Sequence, residues 1–401
     1  MRESFPEASA GASPFEKKGV LVGNKIVGGW NRVEGFLFGL ITLAALASAF
    51  YGVVRKEGFD MSRGWKTMLV LGTAAILWLP LGVPPMVEAQ TYEFKISMDT
   101  VPNHPRNMGI EIFVQRLIKR SGGKLEPKVY HSAQLYKDVH VTKALNMGSV
   151  EMAVPGNFVL EGFETNATLT MLPMFFGMPQ KITEQLIDGE VGKTVSKKLG
   201  EKLNVKVIGR VFEMGYDNCY TLKKKITKLE DFKGLKIRYA GGSISAAKFK
   251  ALGAGAVFIA WPDVPMALAQ GTIDGLSSTT KSVEGAKLHE TGLKYAVETR
   301  TNIFYYYPMV NLKFWNSLPP DLQKIFLEVW NEVVPEQREI ARREQQTAKE
   351  FLQSKGMEFY EPGEEELAKW RKHIMYVQDD LVKELKHDPE LIKLAMKALG
   401  M

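Results

Sequence analysis

A single cysteine, Cys219, stands among 401 residues, so an internal disulfide, a cysteine-based metal cage and a redox pair are all excluded. A lone thiol acts as a nucleophile only beside a histidine brought to it by the fold; otherwise it is a small apolar side chain suited to a strand. Histidine is scarce as well: His104, His131, His140, His289, His373 and His387 are the full set. No two have the spacing that puts zinc ligands on one helix face or turn, and no metal or cofactor is expected. The G-x-S-x-G elbow, the G-x-x-x-x-G-K loop and a G-x-G-x-x-G after a strand are all missing. Long runs of like charge are missing too. The formal net charge of +7 is dispersed, and its densest basic run, Lys223-Lys224-Lys225, reads as a solvated turn; no nucleic-acid partner is indicated. No short-period repeat occurs.

What is present is the balance of a folded protein, with 45% apolar and 24% charged residues. The length suits two domains, or one with appendages. Two uncharged apolar stretches precede the globular part. Phe36–Val54 is long enough to span a bilayer. Thr67–Val87 follows the basic segment Met61-Ser62-Arg63-Gly64-Trp65-Lys66, carries prolines at 80, 84 and 85, and closes on Val87-Glu88-Ala89. Basic start, apolar middle and small-x-small ending form the pattern of a secretory signal peptide over residues 61–89, with the mature chain beginning near Gln90. The rival is a second, retained helix. In that case the linker cations Arg55, Lys56, Arg63 and Lys66 would face the cytoplasm and the globular part would lie outside. Both readings put the bulk of the protein in the periplasm. Residues 1–60 form an extension with one membrane-like helix, absent if translation starts at Met61.

From Tyr92 onward strands and helices alternate. Tyr92–Met98 has a strand's period of two. Asn103 and Pro105 offer a helix start, Ile112, Phe113, Val114, Leu117 and Ile118 an apolar face, and Ser121-Gly122-Gly123 a stop. Strand 125–130, helix 138–147 and strand 150–154 follow. The pattern returns at 206–211, 236–239, 243–252 and 264–270. An α/β fold with a largely parallel sheet is expected. Leu318-Pro319-Pro320-Asp321 opens a helical pattern reaching about Gly356, with a kink expected at Pro335, long enough to brace two lobes. Gly241-Gly242-Ser243 joins a strand to a helix and so offers free N–H groups to an anion. Glu364-Glu365-Glu366 reads as charge at a helix start.

Several stretches carry a family resemblance: Tyr130–Leu135, Ala144–Met152, Leu172–Phe176, Leu229–Arg238, Ala267–Gly275 and Phe314–Pro319. In order and spacing they resemble the solute-binding subunit of tripartite ATP-independent periplasmic (TRAP) transporters, the DctP-like family, over about three hundred residues. The resemblance implies a two-lobed periplasmic-binding-protein-like fold with a hinge and a long bracing helix. Lobe I would cover about 92–215 and 304–345; lobe II would cover 216–303 with C-terminal helices 346–401. It implies capture of a small organic acid for delivery to membrane subunits that couple uptake to sodium, and no catalysis. Arg238, in the Lys-x-Arg strand, takes the place of the family's carboxylate clamp; a guanidinium fork matches a carboxylate. Trp261 falls where members place a ring against the ligand. Asp99, Asp138, Asn157 and Phe175 fall at cleft-lining positions, although both aspartates would also serve as helix caps.

Asn218 stands where sialic-acid binders have a second arginine, and Ser277-Ser278 where they have Glu-Asn, so sialic acid is not the implied ligand. These three become polar discriminators. The glutamate that helps hold a metal in some 2-oxoacid binders is missing. Tyr216, Tyr220 and Tyr305–Tyr307 suggest a ring-rich pocket for an apolar or aromatic acid, or a tyrosine-rich core. Asn31–Phe36 and the helix after it resemble the opening of the small membrane subunit. Two other readings stay open: a membrane-tethered sensor or scavenger of the same fold, and a hydrolase using a cleft carboxylate.

Overall fold

Tyr92–Ser97 alternates as its sequence suggests, burying Phe94 and Ile96 while Glu93 faces solvent. This is β1 in a computed structural model that describes residues 90–401. The described chain continues with β2 (Leu125–Tyr130), β3 (Met152–Ala153), β4 (Val205–Val207), β5 (Phe212–Tyr216) and β6 (Asn218–Thr221). Then come β7 (Lys236–Tyr239), β8 (Gly255–Phe258), β9 (Gly275–Ser278) and β10 (Tyr295–Val297). The last three are β11 (Ile303–Tyr306), β12 (Met309–Asn311) and β13 (Glu358–Tyr360). One sheet has the order β2-β1-β3-β12-β4, a second β13-β10-β6-β9-β7-β8, and β5 pairs with β11 alone. Parallel pairs β1–β2, β1–β3, β7–β8 and β7–β9 sit beside antiparallel ones, so each lobe is a mixed α/β sheet. Pro127 lies in β2, an edge strand, where a missing N–H costs no ladder bond.

Four connections join the lobes, the last being the return of the C-terminal helices to the first. The chain leaves the first sheet through β5 and enters the second at β6; it returns through β11 to β12. The third is the helix Pro320–Ser354, 35 residues long, which ends by delivering β13 to the second sheet. Its buried positions Leu322, Phe326, Val329, Trp330 and Val333 recur at helical spacing and pack against the helix Pro105–Arg120. Farther along, two side-chain amides, Gln337 buried and Gln345 half-buried, tie it to the crossing strand. Gln337 donates to the Glu213 carbonyl at 2.9 Å and accepts from the Glu213 N–H at 3.1 Å; Gln345 donates to the Met214 carbonyl at 2.6 Å. Pro335 does not interrupt the helix. The carbonyl of Asn331, which a proline at 335 leaves without its helical partner, accepts a long bond from Arg210 at 3.4 Å.

Besides having mixed and not largely parallel sheets, the structure departs from expectation in two places. His104, not Asn103, caps the helix Pro105–Arg120, its ring nitrogen accepting from the Arg106 N–H. Residues 346–401 do not all go with lobe II. Leu367, Trp370 and Ile374 join the second lobe's core, but Leu381, Leu391 and Ala395 pack into the first, because the helices 378–384 and 389–398 return across the chain to lay their apolar side chains there. Among the described residues no helix is long and apolar enough to cross a membrane. The apolar stretches 36–54 and 67–87, with the extension 1–60 and the leader 61–89, lie outside the described residues.

Two predictions follow from the brace. Trp330 stacks on Phe212 with centroids 4.3 Å apart and donates to the Arg210 carbonyl at 2.8 Å, so Trp330→Ala should lower unfolding free energy by about 3–5 kcal/mol in urea titration. Glu213 is fully buried on β5; burial raises its carboxyl from 4.5 to about 7, with Glu184 adding to the rise and Arg338 opposing it. Between those values the folded chain keeps a proton that the unfolded chain has released. Its contribution is therefore complete below pH 4.5 and lost as pH rises through 7. Glu213→Gln lacks that term. Its stability relative to wild type should rise by about 3 kcal/mol between pH 4.5 and 8.5, measured by denaturation at each pH.

Candidate ligand-binding cleft

The parallel strands β1 and β7 end toward each other across the two lobes, and a cavity of about 40 Å³ lies between their carboxyl ends. That is where ligands sit in open α/β sheets, and it exceeds the ~10–15 Å³ that one water needs. Lobe I contributes Asp99, just after β1, His104 at its helix cap, and Asp138, the first residue of the helix Asp138–Met147. Lobe II contributes Arg238 from β7, Trp261 from a tight turn, and Ser278 at the end of β9. Phe304 and Tyr306 of β11 form the floor with Phe158 beside them.

Arg238 is 2% exposed. Its Nε donates to the Ile259 carbonyl at 2.8 Å and its Nη1 to the Ser277 carbonyl at 3.3 Å, while the guanidinium carbon sits 5.5 Å from the Trp261 ring centre. Among the described residues no carboxylate lies within ion-pair distance of it. Burial draws its pKa down to about 10, with Asp217 opposing, so the group stays cationic at neutral pH. Strand β9 lies between β7 and β6, and packs closely on β6. A side chain at Gly275 would lie 2.2 Å from the Tyr220 carbonyl, and Asp274 accepts from the Lys236 N–H at 2.8 Å, fixing the start of β7.

Facing it is a network that the sequence did not disclose. Arg106, fully buried, is gripped by Asp99 and by Asp138 at 2.7 Å, with Tyr306 stacked 4.6 Å away. Burial alone would lower the Arg106 pKa, but the two aspartates overcome it and hold the group charged. Burial raises Asp138 to about 7; Arg106 pulls against that rise and Asp99 adds to it. His104 reaches Ser282 at 3.0 Å across the cleft, and burial, then Arg106 and Lys281, hold its pKa well below 6.5, so it is neutral. A local signal for Arg106 exists. It shares a helical face with Ile110, Phe113 and Leu117, so it stands in register with the buried stripe.

Of the residues expected at the site, Arg238, Trp261, Ser278, Asp99 and Asp138 come together around the cavity. The other four do not line it. Ser277 reaches Arg238 only through its carbonyl. Asn218 accepts from the Arg300 N–H at 3.1 Å and faces a separate recess of about 320 Å³ with Tyr216 and Gln345, because side chains alternate along a strand. Asn157 is buried just before Phe158, and Phe175 is packed in the core of the first lobe. The expected tyrosine-rich pocket reduces to Tyr306: the hydroxyls of Tyr220 and Tyr305 bond to Thr280 and Thr183 in the interior. Trp261, Phe158 and Phe304 supply the other rings.

The lobes also clasp each other at the cleft. Lys137 pairs with Asp263 at 2.7 Å on the outside. Glu161 of lobe I accepts from the Ser243 N–H at 2.7 Å, so a carboxylate of the protein itself occupies the helix start that Gly241-Gly242-Ser243 advertised. Gly242, at φ +79°, lets the turn pass this close to Glu161.

Two α/β lobes, four crossings and a cleft holding a cation without a carboxylate partner among the described residues define a two-lobed binding protein. The chain belongs to family 7 of the bacterial extracellular solute-binding proteins (DctP), whose sequence profile matches residues 96–384. It is 29% identical over 331 residues, 80% of this chain and 95% of the other, to the C4-dicarboxylate-binding periplasmic protein DctP of Rhodobacter capsulatus. Among solved structures it is similar to a TRAP periplasmic solute-binding protein from Ralstonia eutropha with bound (S)-2-acetolactate, at 27% identity and TM-score 0.71, covering 77% of this chain and 98% of that one. A counterpart from Desulfovibrio salexigens with bound orotic acid matches at 25% identity and TM-score 0.71, covering 77% and 99%. These are solute-binding proteins, not enzymes.

Because Glu161 of lobe I accepts from the Ser243 N–H of lobe II beside the cleft, Glu161→Ala should weaken ligand binding by about tenfold, chiefly through faster release seen in stopped-flow dissociation.

Proposed function

We propose that this protein captures a small organic carboxylate outside the cytoplasm and presents it to the membrane subunits of a TRAP-type transporter for sodium-coupled uptake. One observation carries the reading: Arg238 is a buried guanidinium with no carboxylate partner among the described residues, held at the end of β7 by two backbone carbonyls. A buried cation is stabilised most by an anion that arrives with matching geometry, and a carboxylate meets the guanidinium fork through two parallel bonds. Trp261 then packs against the ligand's carbon skeleton and Ser278 offers a hydroxyl beside it. Closure is favoured by the differential affinity of the ligand for the closed lobes, and β5, β11 and the long helix are the segments that flex.

The leader at 61–89 would carry the chain to the periplasm, and cleavage near Ala89 would release it. A retained helix would tether it instead. Ser277, Asn218, Asn157 and Phe175 act in this reading from behind the cleft wall, through the backbone and packing that position Arg238 and Phe158.

A thermal-shift screen of the full chain against small mono- and dicarboxylates tests the proposal. A ligand at a hundred times its Kd should add about 2.7 kcal/mol of stability, a rise of several degrees. In Arg238→Ala that rise should vanish while the unliganded protein keeps its circular dichroism spectrum. A hit of equal size in the variant would remove Arg238 from the clamp.

A further inference from the structure

Resting on the receptor reading above, we propose that the cleft selects a monocarboxylate whose far end donates hydrogen bonds, a hydroxy or amino acid, and disfavours dicarboxylates. Two guanidinium groups stand near the cavity, but only one has hydrogens to give. A guanidinium carries five N–H donors. Those of Arg106 are all engaged: Nε to Thr100 Oγ1 at 3.3 Å, Nη1 to Asp138 at 2.7 Å and to the Val154 carbonyl at 3.1 Å, Nη2 to Asp99 and to Thr100 Oγ1 at 3.0 Å. Arg238 uses two of its five, both on backbone carbonyls, and keeps three for a ligand.

The cavity is therefore polarised from one lobe to the other. On the lobe II side is a cation with free donors. On the lobe I side, Asp99 and Asp138 line the space while Arg106 stands behind them. With both ionised, above the pH of about 7 to which burial raises Asp138, two carboxylates around one guanidinium leave that wall electronegative and able to accept. His104 adds no positive charge, since its neutral ring already contacts Ser282. A ligand anchored by one carboxylate on Arg238 turns its other end to the aspartates. A second carboxylate there would meet like charge in a low-dielectric space with no cation left to answer it. A hydroxyl or ammonium group would instead find acceptors already in place.

Isothermal titration of the full chain with matched pairs, at pH 8.5 where Asp138 is ionised, tests this. The pairs are 3-hydroxypropanoate with malonate, 4-hydroxybutanoate with succinate, and gluconate with glucarate, supplemented by β-alanine and 4-aminobutanoate. For the chain length that fits, the donor-bearing acid should bind at least tenfold more tightly than its dicarboxylate. Equal or tighter binding of the dicarboxylate, abolished by Arg238→Ala, would overturn the selection and leave the receptor standing. No binding by any of these acids would overturn both. Asp138→Asn removes charge and keeps shape, so the preference should fall below threefold. If Asp138→Asn and Asp99→Asn both fold, bind and keep the full preference, the aspartates are not its source. Should either variant fail to fold, the paired comparison in the wild type decides alone.

Discussion

Removing a guanidinium from water without giving it an anion costs several kcal/mol even after relaxation, and Arg238 is held in that condition by the fold around it. Two carbonyls, from Ile259 and Ser277, and the face of Trp261 offset part of the cost. The remainder is what an incoming carboxylate relieves. The neighbouring architecture follows from this requirement. Strand β7 must end at the cleft with Arg238 turned inward, β9 must lie close enough to lend a carbonyl, and the turn at Trp261 must fold back over the guanidinium. Arg106 illustrates the opposite solution to the same problem. It brings its two anions from within its own lobe, and so it shapes the cleft while remaining closed to ligand.

The lobes that carry these two arginines are joined by segments with unlike mechanical properties. β5 and β11 form a two-stranded ribbon outside both large sheets, held to the first lobe by a single bridge from Tyr306 to Gly156. The long helix begins on the helix Pro105–Arg120, grips β5 through Gln337 and Gln345, and finishes as the lead-in to β13. Bending the ribbon therefore requires the helix to move with it, because the buried amide of Gln337 pairs with strand backbone that would otherwise be left unsatisfied. Glu213, on the same strand, adds a buried carboxyl whose proton the ribbon must hold for the packing to be electrically neutral.

Much of this was legible in the sequence, and the exceptions have a common cause. Strand periods, the helix stops at Gly148 and Gly253 and the length of the final brace depend on neighbouring residues, and they fell within a few positions of the observed boundaries. Arg238 and Trp261 came from ordered motifs and sit at the cavity. Arg106 was missed because its partners lie seven residues back and thirty-two ahead, at Asp99 and Asp138, and nothing local marks their convergence. Asn218 was expected at the site because it stands where sialic-acid binders have a second arginine. A strand sends alternate side chains to opposite faces, so position in sequence did not fix its direction. The helices after 375 went to the wrong lobe for a similar reason: amphipathic periodicity tells which face is buried but not against which sheet.

Pro127 bears on a matter separate from ligand binding. The first sheet has two open borders, β2 and β4. At one, Pro127 has no hydrogen to offer a neighbouring chain and stands between the charges of Glu126 and Lys128. At the other, β4 is three residues long with a lysine at its centre. Neither border is a template on which a second molecule can extend the sheet. Crowded copies of this protein thus have no easy route to strand-by-strand polymerisation through the lobe that builds half of the cleft.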